Sequence, residues 1–327
     1  MHELIHRLIA GFALSPADAA RLWQLSRLHA PAPTLRQHTE RALATLAALL
    51  LGAGLIFWVA ANWQAQTRQF KFLLLQALLL TSVLGALAWP RGRTALLLLA
   101  TLALGGLLAF IGQTYQTGAD PWQLFAAWAA LALLWVMAAR SDALWTLWVL
   151  IAGTGMALWS GSQLLSPLRN LLGWHDYRSV LMPLLWAGLL LVAWLVSRFG
   201  LSSAQDPAAR GRYAFGLATL LALSAWCSYG LVNLFDGVAG LFGLNAALVV
   251  GAAALAYAAR PRSIATLAMS VLALDTLLLG LVAKLLFSGS GSHDFIGLVF
   301  GFGLVAAVTV GVSGTWIYKL QRAEQAA

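Results

Sequence analysis

Long apolar runs of about twenty residues alternate with short polar connections along most of the chain. A helix crossing the ~30 Å hydrocarbon layer needs about 20 predominantly apolar residues. Ten runs meet that length: 42–61, 70–89, 94–113, 121–139, 143–160, 179–199, 212–232, 237–258, 263–287 and 296–318. Pro90 with Gly92, Asp206-Pro207 and Arg260-Pro261-Arg262 punctuate the boundaries between runs. Strand-like alternation is missing and the runs are twice the length of a barrel strand, which excludes an outer-membrane barrel. The pattern predicts an all-α polytopic integral membrane protein, a bundle of about ten transmembrane helices. An amphipathic helical leader over 1–40 precedes a transmembrane domain over 41–318 and a tail over 319–327.

Two further segments carry helical patterning without spanning. In the leader, Leu4, Ile5, Leu8, Ile9 and Phe12 share one face, and Ser15 with Asp18 three residues on reads as a capping box opening a second short helix, with Pro16 at its first position. The leader is expected to rest in solvent or on the membrane surface; its alternative role is to dock a cytoplasmic partner. Leu164, Leu165, Leu168, Leu171 and Leu172 make a second stripe, expected to lie in the outer interface.

Composition sharpens the class. Of 327 residues, 61% are hydrophobic and 9% charged, against roughly 25% charged in soluble domains. Neither a water-soluble domain nor a disordered chain has that balance. The net charge of +9 would suggest nucleic acid in a soluble chain, but the basic residues sit singly or in pairs between apolar runs, so no nucleic-acid partner is expected. They set topology instead. With the N-terminus inside, fifteen Lys and Arg fall in cytoplasmic segments, while Arg68, Lys71, Arg169 and Arg178 fall outside and Lys284 lies within a span, where it is expected to snorkel outward. That asymmetry predicts both termini in the cytoplasm. An Ala-, Leu- and Arg-rich usage fits a GC-rich bacterial gene and hence a bacterial inner membrane. No cleavable signal peptide is expected, because the first apolar run begins only after about forty residues. The lone Cys227 permits no internal disulfide and no cysteine metal cluster.

Candidate chemistry lies at two places. The first run ends Ala60-Ala61-Asn62-Trp63, with Arg68, Lys71 and Phe72 beyond. The third ends Gly112-Gln113-Thr114-Tyr115, and Gly118, Asp120, Pro121 and Trp122 lead into the fourth, which carries Trp128-Ala129. This combination resembles a bacterial membrane-protein family catalogued as domain of unknown function 2157. Its pattern is an Asn-Trp pair after the first span, then a Gly-Gln-x-Tyr element with a downstream acidic residue and a Trp-Ala. The resemblance covers about residues 1–160 and implies a membrane class with no activity to carry over. In the expected topology Asn62, Gln113, Tyr115 and Asp120 fall at the outer face, where Trp63 and Trp122 would wall a shallow pocket for a ligand or partner. The plainer reading is that amides cap helix ends and that Trp and Tyr populate the interfacial belt.

Asp275 is the second place. It stands midway along the ninth run, where a carboxyl costs about 2.5–3.5 kcal/mol on insertion scales and marks a functional position by default. Burial favours a neutral carboxyl unless a cation lies near. Its expected roles are proton or cation coupling, or a structural hydrogen bond to groups such as Asn245 or Ser224. The pairs His175-Asp176 and His293-Asp294 read as solvated loop polarity, since neither has a metal-site spacing. Small-residue steps, such as Gly297 with Gly301 and then Gly303, Gly311 and Gly314, point to close helix approach within the chain or between two copies.

The sequence therefore favours a non-enzymatic subunit, scaffold or sensor of an envelope complex, without metal or cofactor. Its partners would be the bilayer and an envelope protein or a second copy. The alternative is a secondary transporter or exporter of a lipidic or hydrophobic small molecule coupled through Asp275. Ten spans dividing into two oppositely oriented fives would suit such a carrier. The thin inventory of mid-depth polar residues, chiefly Gln76, Asn245 and Asp275, weighs against hydrophilic cargo.

Overall fold

The computed structural model describes residues 35–61, 67–115, 118–161, 177–199, 211–258, 263–287 and 295–326, together with Phe12, Ser15 and Asp18. The remainder of the leader and the leucine stripe over 163–174 lie outside the described residues. Within the leader, Ser15 Oγ accepts the Asp18 backbone N–H at 3.2 Å and donates its hydroxyl to the Asp18 carboxylate at 2.6 Å.

Ten helices make up the described chain: α1 Leu35–Ala61, α2 Arg68–Ala88, α3 Arg93–Tyr115, α4 Pro121–Ala139, α5 Asp142–Gly161, α6 Tyr177–Arg198, α7 Arg212–Phe235, α8 Ala239–Ala258, α9 Ile264–Phe287 and α10 Phe295–Ala326. Each overlies one of the ten apolar runs. Nine of them, α2 to α10, are long and apolar enough to cross a membrane; α1 carries a shorter apolar stretch, Ala42–Trp58. α10 continues as helix to Ala326, well beyond the end of its apolar run at 318.

Helices pack on neighbours one or two places away in the chain. The odd-numbered helices form one row, α1 on α3, α3 on α5, α5 on α7 and α7 on α9, and the even-numbered helices flank it. Among the described residues no substantial contact joins α1 to α10, so the array is an open two-row ribbon and not a closed ring. This packing departs from the two-fives expectation. α2 packs on α3 and the short turn after it, whereas α7, its counterpart under a five-helix repeat, packs on α5, α6, α8 and α9.

The core centres on α5, α6 and α7. Ala214, Ala218 and Ala222 stand four residues apart on one face of α7 and are fully buried, because small side chains let neighbouring backbones close in. Leu144, Val149, Ala193 and Val196 pack into the same cluster. The end helix α10 contributes no buried residue to it.

Tryptophan stitches the rows together. With no water in the hydrocarbon to satisfy an indole N–H, a protein acceptor stabilises a buried one. Four indoles between helices find such an acceptor, whereas those of Trp145 and Trp186 are buried without one among the described residues. Trp128 Nε1 donates to the Thr101 carbonyl at 2.8 Å and Trp135 Nε1 to Thr101 Oγ1 at 2.9 Å, which ties α4 to α3. Trp148 Nε1 reaches the Ala129 carbonyl at 2.8 Å, and Trp226 Nε1 reaches that of Pro183 at 2.9 Å. Trp128 thus has a packing role and not only a place in a motif.

The ends of α7 are held by other helices. Its N-cap, Gly211, sits at φ 62°, and a Cβ there would come within 2.9 Å of the Ser197 backbone. Glycine is required by that approach and so brings no capping side chain. Asp142, at the start of α5, supplies the cap: its carboxylate accepts the backbone N–H groups of Tyr213 at 3.0 Å and Ala214 at 3.2 Å. At the other end Lys284 Nζ donates to the Leu234 carbonyl. Its ammonium thus finds an acceptor in the last turn of α7, at the same end of the bundle as the end of α9.

The glycines divide differently from their spacing. Among those in α10, a Cβ at Gly301, Gly303, Gly311 or Gly314 would meet nothing within 4 Å. Close approach within the chain falls at Gly105 under the Trp128 ring, and at Gly230 and Gly280, where Leu277 and Leu231 interlock α7 with α9.

Candidate functional site

Chain reversal brings the end of α1, the start of α2, the end of α3, the start of α4 and the end of α5 to one face of the bundle. Asn62 and Trp63 lie outside the described residues. Gln113 and Tyr115 are exposed in the last turn of α3, Tyr115 to 67%. Gly118, at φ 65°, helps turn the chain toward α4, whose N-cap is Asp120 with Pro121 as the first helical residue. The Asp120 carboxylate does not cap the helix. It accepts the Trp122 indole N–H at 3.2 Å, while the Asp120 backbone carbonyl accepts the Gln123 N–H at 2.9 Å.

Trp122 in turn leans on Trp159 of α5, with ring centroids 6.4 Å apart and planes at 60°. Sequence reasoning passed over Trp159, although a signal was present. Trp122 and Trp159 stand equally far in sequence from the Arg140–Ser141 turn, so an antiparallel hairpin must bring them to one level. Asp120, Trp122 and Trp159 form one cluster. Among the described residues no hydrogen bond or ring contact joins Gln113 or Tyr115 to it, although all five share the same end of the bundle.

Lys71 belongs to this end too. Counted by sequence among the outer basic residues, it is 4% exposed in the first turn of α2, beside Phe72, whose ring packs on Phe110 at 5.9 Å. The face thus combines an acceptor, a phenol, an amide and two indoles, with the Lys71 side chain buried at the same end. This set suits hydrogen-bonded and aromatic recognition of a polar surface. Among the described residues no three His, Cys, Asp or Glu side chains gather where they could hold a metal ion.

Asp275 is 8% exposed, halfway along α9. Its Oδ1 accepts the hydroxyl of Ser313 on α10 at 2.9 Å. Ser313 takes the place expected for Asn245 or Ser224. The Asn245 side-chain amide donates to Leu241 in its own helix at 2.8 Å, leaving Oδ1 buried without a partner, and Ser224 donates to Leu220 at 2.7 Å. The other mid-span hydroxyls likewise turn back on their own helices: Thr101 to Leu97, Thr219 to Phe215, Ser270 to Thr266 and Thr276 to Leu272.

A ten-helix ribbon with nine evident spans and a polar, aromatic end face defines a multi-pass integral membrane protein. Residues 6–145 match the family model described as "Predicted membrane protein (DUF2157)", which bears out the resemblance read from the Asn62, Gln113 and Trp128 neighbourhoods. No curated protein and no solved structure matches the chain.

Proposed function

We propose that the chain is a non-enzymatic subunit, scaffold or sensor of an envelope complex in a bacterial cytoplasmic membrane. Both termini face the cytoplasm, and a partner is recognised at the end face that carries Gln113, Tyr115, Asp120 and Trp122, with Asn62 and Trp63 adjacent in sequence to the end of α1. The observation that carries this reading is the return of the mid-span hydroxyls to their own helices. Hydroxyls returned to their own i−4 carbonyls leave few groups to replace the hydration shell of a hydrophilic cargo, and among the described residues no substantial contact closes the ribbon into a ring around a path. The end face, by contrast, presents exposed polar and aromatic groups. Fifteen basic residues on the opposite side of the spans support the orientation.

A carrier for hydrophobic cargo is the second reading, favoured by the buried Asp275–Ser313 pair. Native mass spectrometry of the protein gently extracted from its own membrane separates the two. A stoichiometric second protein is expected on the wild type and on Asp275→Asn, and its loss from Tyr115→Ala and Trp122→Ala. A lone chain, or a partner indifferent to both end-face changes, overturns the proposal.

A further inference from the structure

A cleft of about 520 Å³ opens between α8 and α10, with α9 as its floor. Val250 and Ala254 of α8 and Val271 and Leu274 of α9 give it apolar walls. Tyr257 and Trp316 stack across one end, their centroids 6.0 Å apart and their planes within 23°. Ser313 lines the cleft and donates to Asp275 behind it. Asp275 lies four residues beyond Val271 on α9, and Trp316 three beyond Ser313 on α10. Each of these pairs shares a helix face, so the hydroxyl and the indole line the cleft and the carboxylate stands one hydrogen bond behind it.

We propose that this cleft binds a lipophilic organic cation: a quaternary or delocalised positive charge carried on apolar groups, entering from the bilayer. Several observations select that chemistry. The volume and apolar lining are those of a small-molecule site, in the range of about 300–1,000 Å³. The single carboxylate is mid-membrane, and among the described residues no basic side chain reaches it; Lys284 on the same helix is engaged at the end of α7. A cation in the cleft would lie one hydroxyl away from that carboxylate, which a neutral lipid chain would not engage. A small metal cation would need several oxygen ligands, where the cleft offers the Ser313 hydroxyl with one carboxylate behind it. An organic cation needs no such shell, and the faces of Trp316 and Tyr257 attract it further. The site lies on other helices than the Asp120–Trp122 end face and stands whether or not the bound cation is moved.

The test is equilibrium binding of radiolabelled tetraphenylphosphonium to the full chain in phosphatidylcholine nanodiscs, with protein-free nanodiscs subtracted. Saturable binding near one per chain is expected, and triphenylphosphine oxide, similar in bulk but neutral, should not compete. Asp275→Asn keeps the size and an acceptor for Ser313, and should weaken binding by about tenfold or more. Trp316→Leu should weaken it about threefold. Ala254→Phe fills the cleft from an exposed position without touching the carboxylate and should abolish binding, which keeps the test decisive if Asp275→Asn does not fold. Absence of saturable binding to the wild type, equal competition by the neutral compound, or binding unchanged in Asp275→Asn or in Ala254→Phe each overturns the proposal.

Discussion

Asp142 and Lys284 hold opposite ends of the same helix. The carboxylate of Asp142 accepts two backbone N–H groups at the start of α7, and the ammonium of Lys284 donates to the Leu234 carbonyl in its last turn. Both charges match the helix macrodipole, negative at the N-terminus and positive at the C-terminus. α7 is also the helix on which α5, α6, α8 and α9 converge. Its ends are thereby pinned by α5 and α9, two of the helices that flank it.

Removing the N-terminal tie should therefore be felt globally. Asp142→Ala is expected to destabilise the protein by about 1–2 kcal/mol, the upper part of the range for losing an N-cap, because Gly211 has no side chain to take over. Asp142→Asn keeps one acceptor oxygen and should cost roughly half as much. Lys284→Met, which retains the stem, should cost about 0.5–1 kcal/mol. Reversible unfolding in mixed micelles measures all three, and a neutral Asp142→Ala would show that the cap contributes nothing.

Gly105 and Gly112 lie seven residues apart on α3 and should respond in opposite ways. A Cβ at Gly105 would overlap the Trp128 ring and push the indole away from the Thr101 carbonyl. Gly105→Ala is expected to cost about 1–3 kcal/mol, the usual penalty for overpacking. A Cβ at Gly112 meets nothing within 4 Å, so Gly112→Ala should change stability by less than about 0.5 kcal/mol. Equal effects in the same unfolding assay would mean that α3 and α4 are not packed through Trp128.

The spans were legible because hydrophobic length is a local property, readable run by run. Partners were not, because each depends on which helix faces which. Asp275 could be singled out from its depth alone, yet its hydrogen-bond partner is Ser313, thirty-eight residues on, and not Asn245 or Ser224. Which glycines meet a neighbour within the chain depends on the same pairing. The steps in α10 face open space, while Gly105, Gly230 and Gly280 are filled by Trp128, Leu277 and Leu231 from neighbouring helices. Tryptophan content likewise suggested interfacial belts, but several indoles lie between helices, where Trp226 donates its N–H to the Pro183 carbonyl while Trp145 and Trp186 leave theirs unpaired among the described residues. At the end face, Asp120 and Trp122 were readable as neighbours two residues apart, whereas Trp159 needed the hairpin geometry.

Thr101 joins two of these indoles and donates its own hydroxyl to Leu97 at 2.7 Å. Thr101→Val preserves the shape and removes the acceptor for Trp135 Nε1. Hydrogen bonds between membrane helices contribute about 0.6 kcal/mol on average and up to about 1.7, so a loss of about 0.5–1.5 kcal/mol is expected, smaller than for Gly105→Ala. The backbone acceptor for Trp128 is untouched, and Thr101→Val with Trp128→Phe should therefore be additive within about 0.5 kcal/mol. A double-mutant cycle with a coupling well above that would show that the two indoles act as one unit.

The orientation rests on the distribution of Lys and Arg and can be read directly by cysteine labelling in a Cys227→Ser background. Ala119 precedes the α4 N-cap at the end face, and Arg91 lies in the turn between α2 and α3 at the opposite end; both are exposed. If the termini are cytoplasmic, a membrane-impermeant maleimide should label Ala119→Cys in spheroplasts and reach Arg91→Cys only after permeabilisation. The reverse pattern would invert every helix and turn the Asp120–Trp122 face toward the cytoplasm. Recognition there would then concern a cytoplasmic partner, and the envelope reading would fall. Labelling of both positions in intact spheroplasts would contradict the membrane passage of α3 itself, since that helix alone separates the Arg91 turn from the loop that carries Ala119.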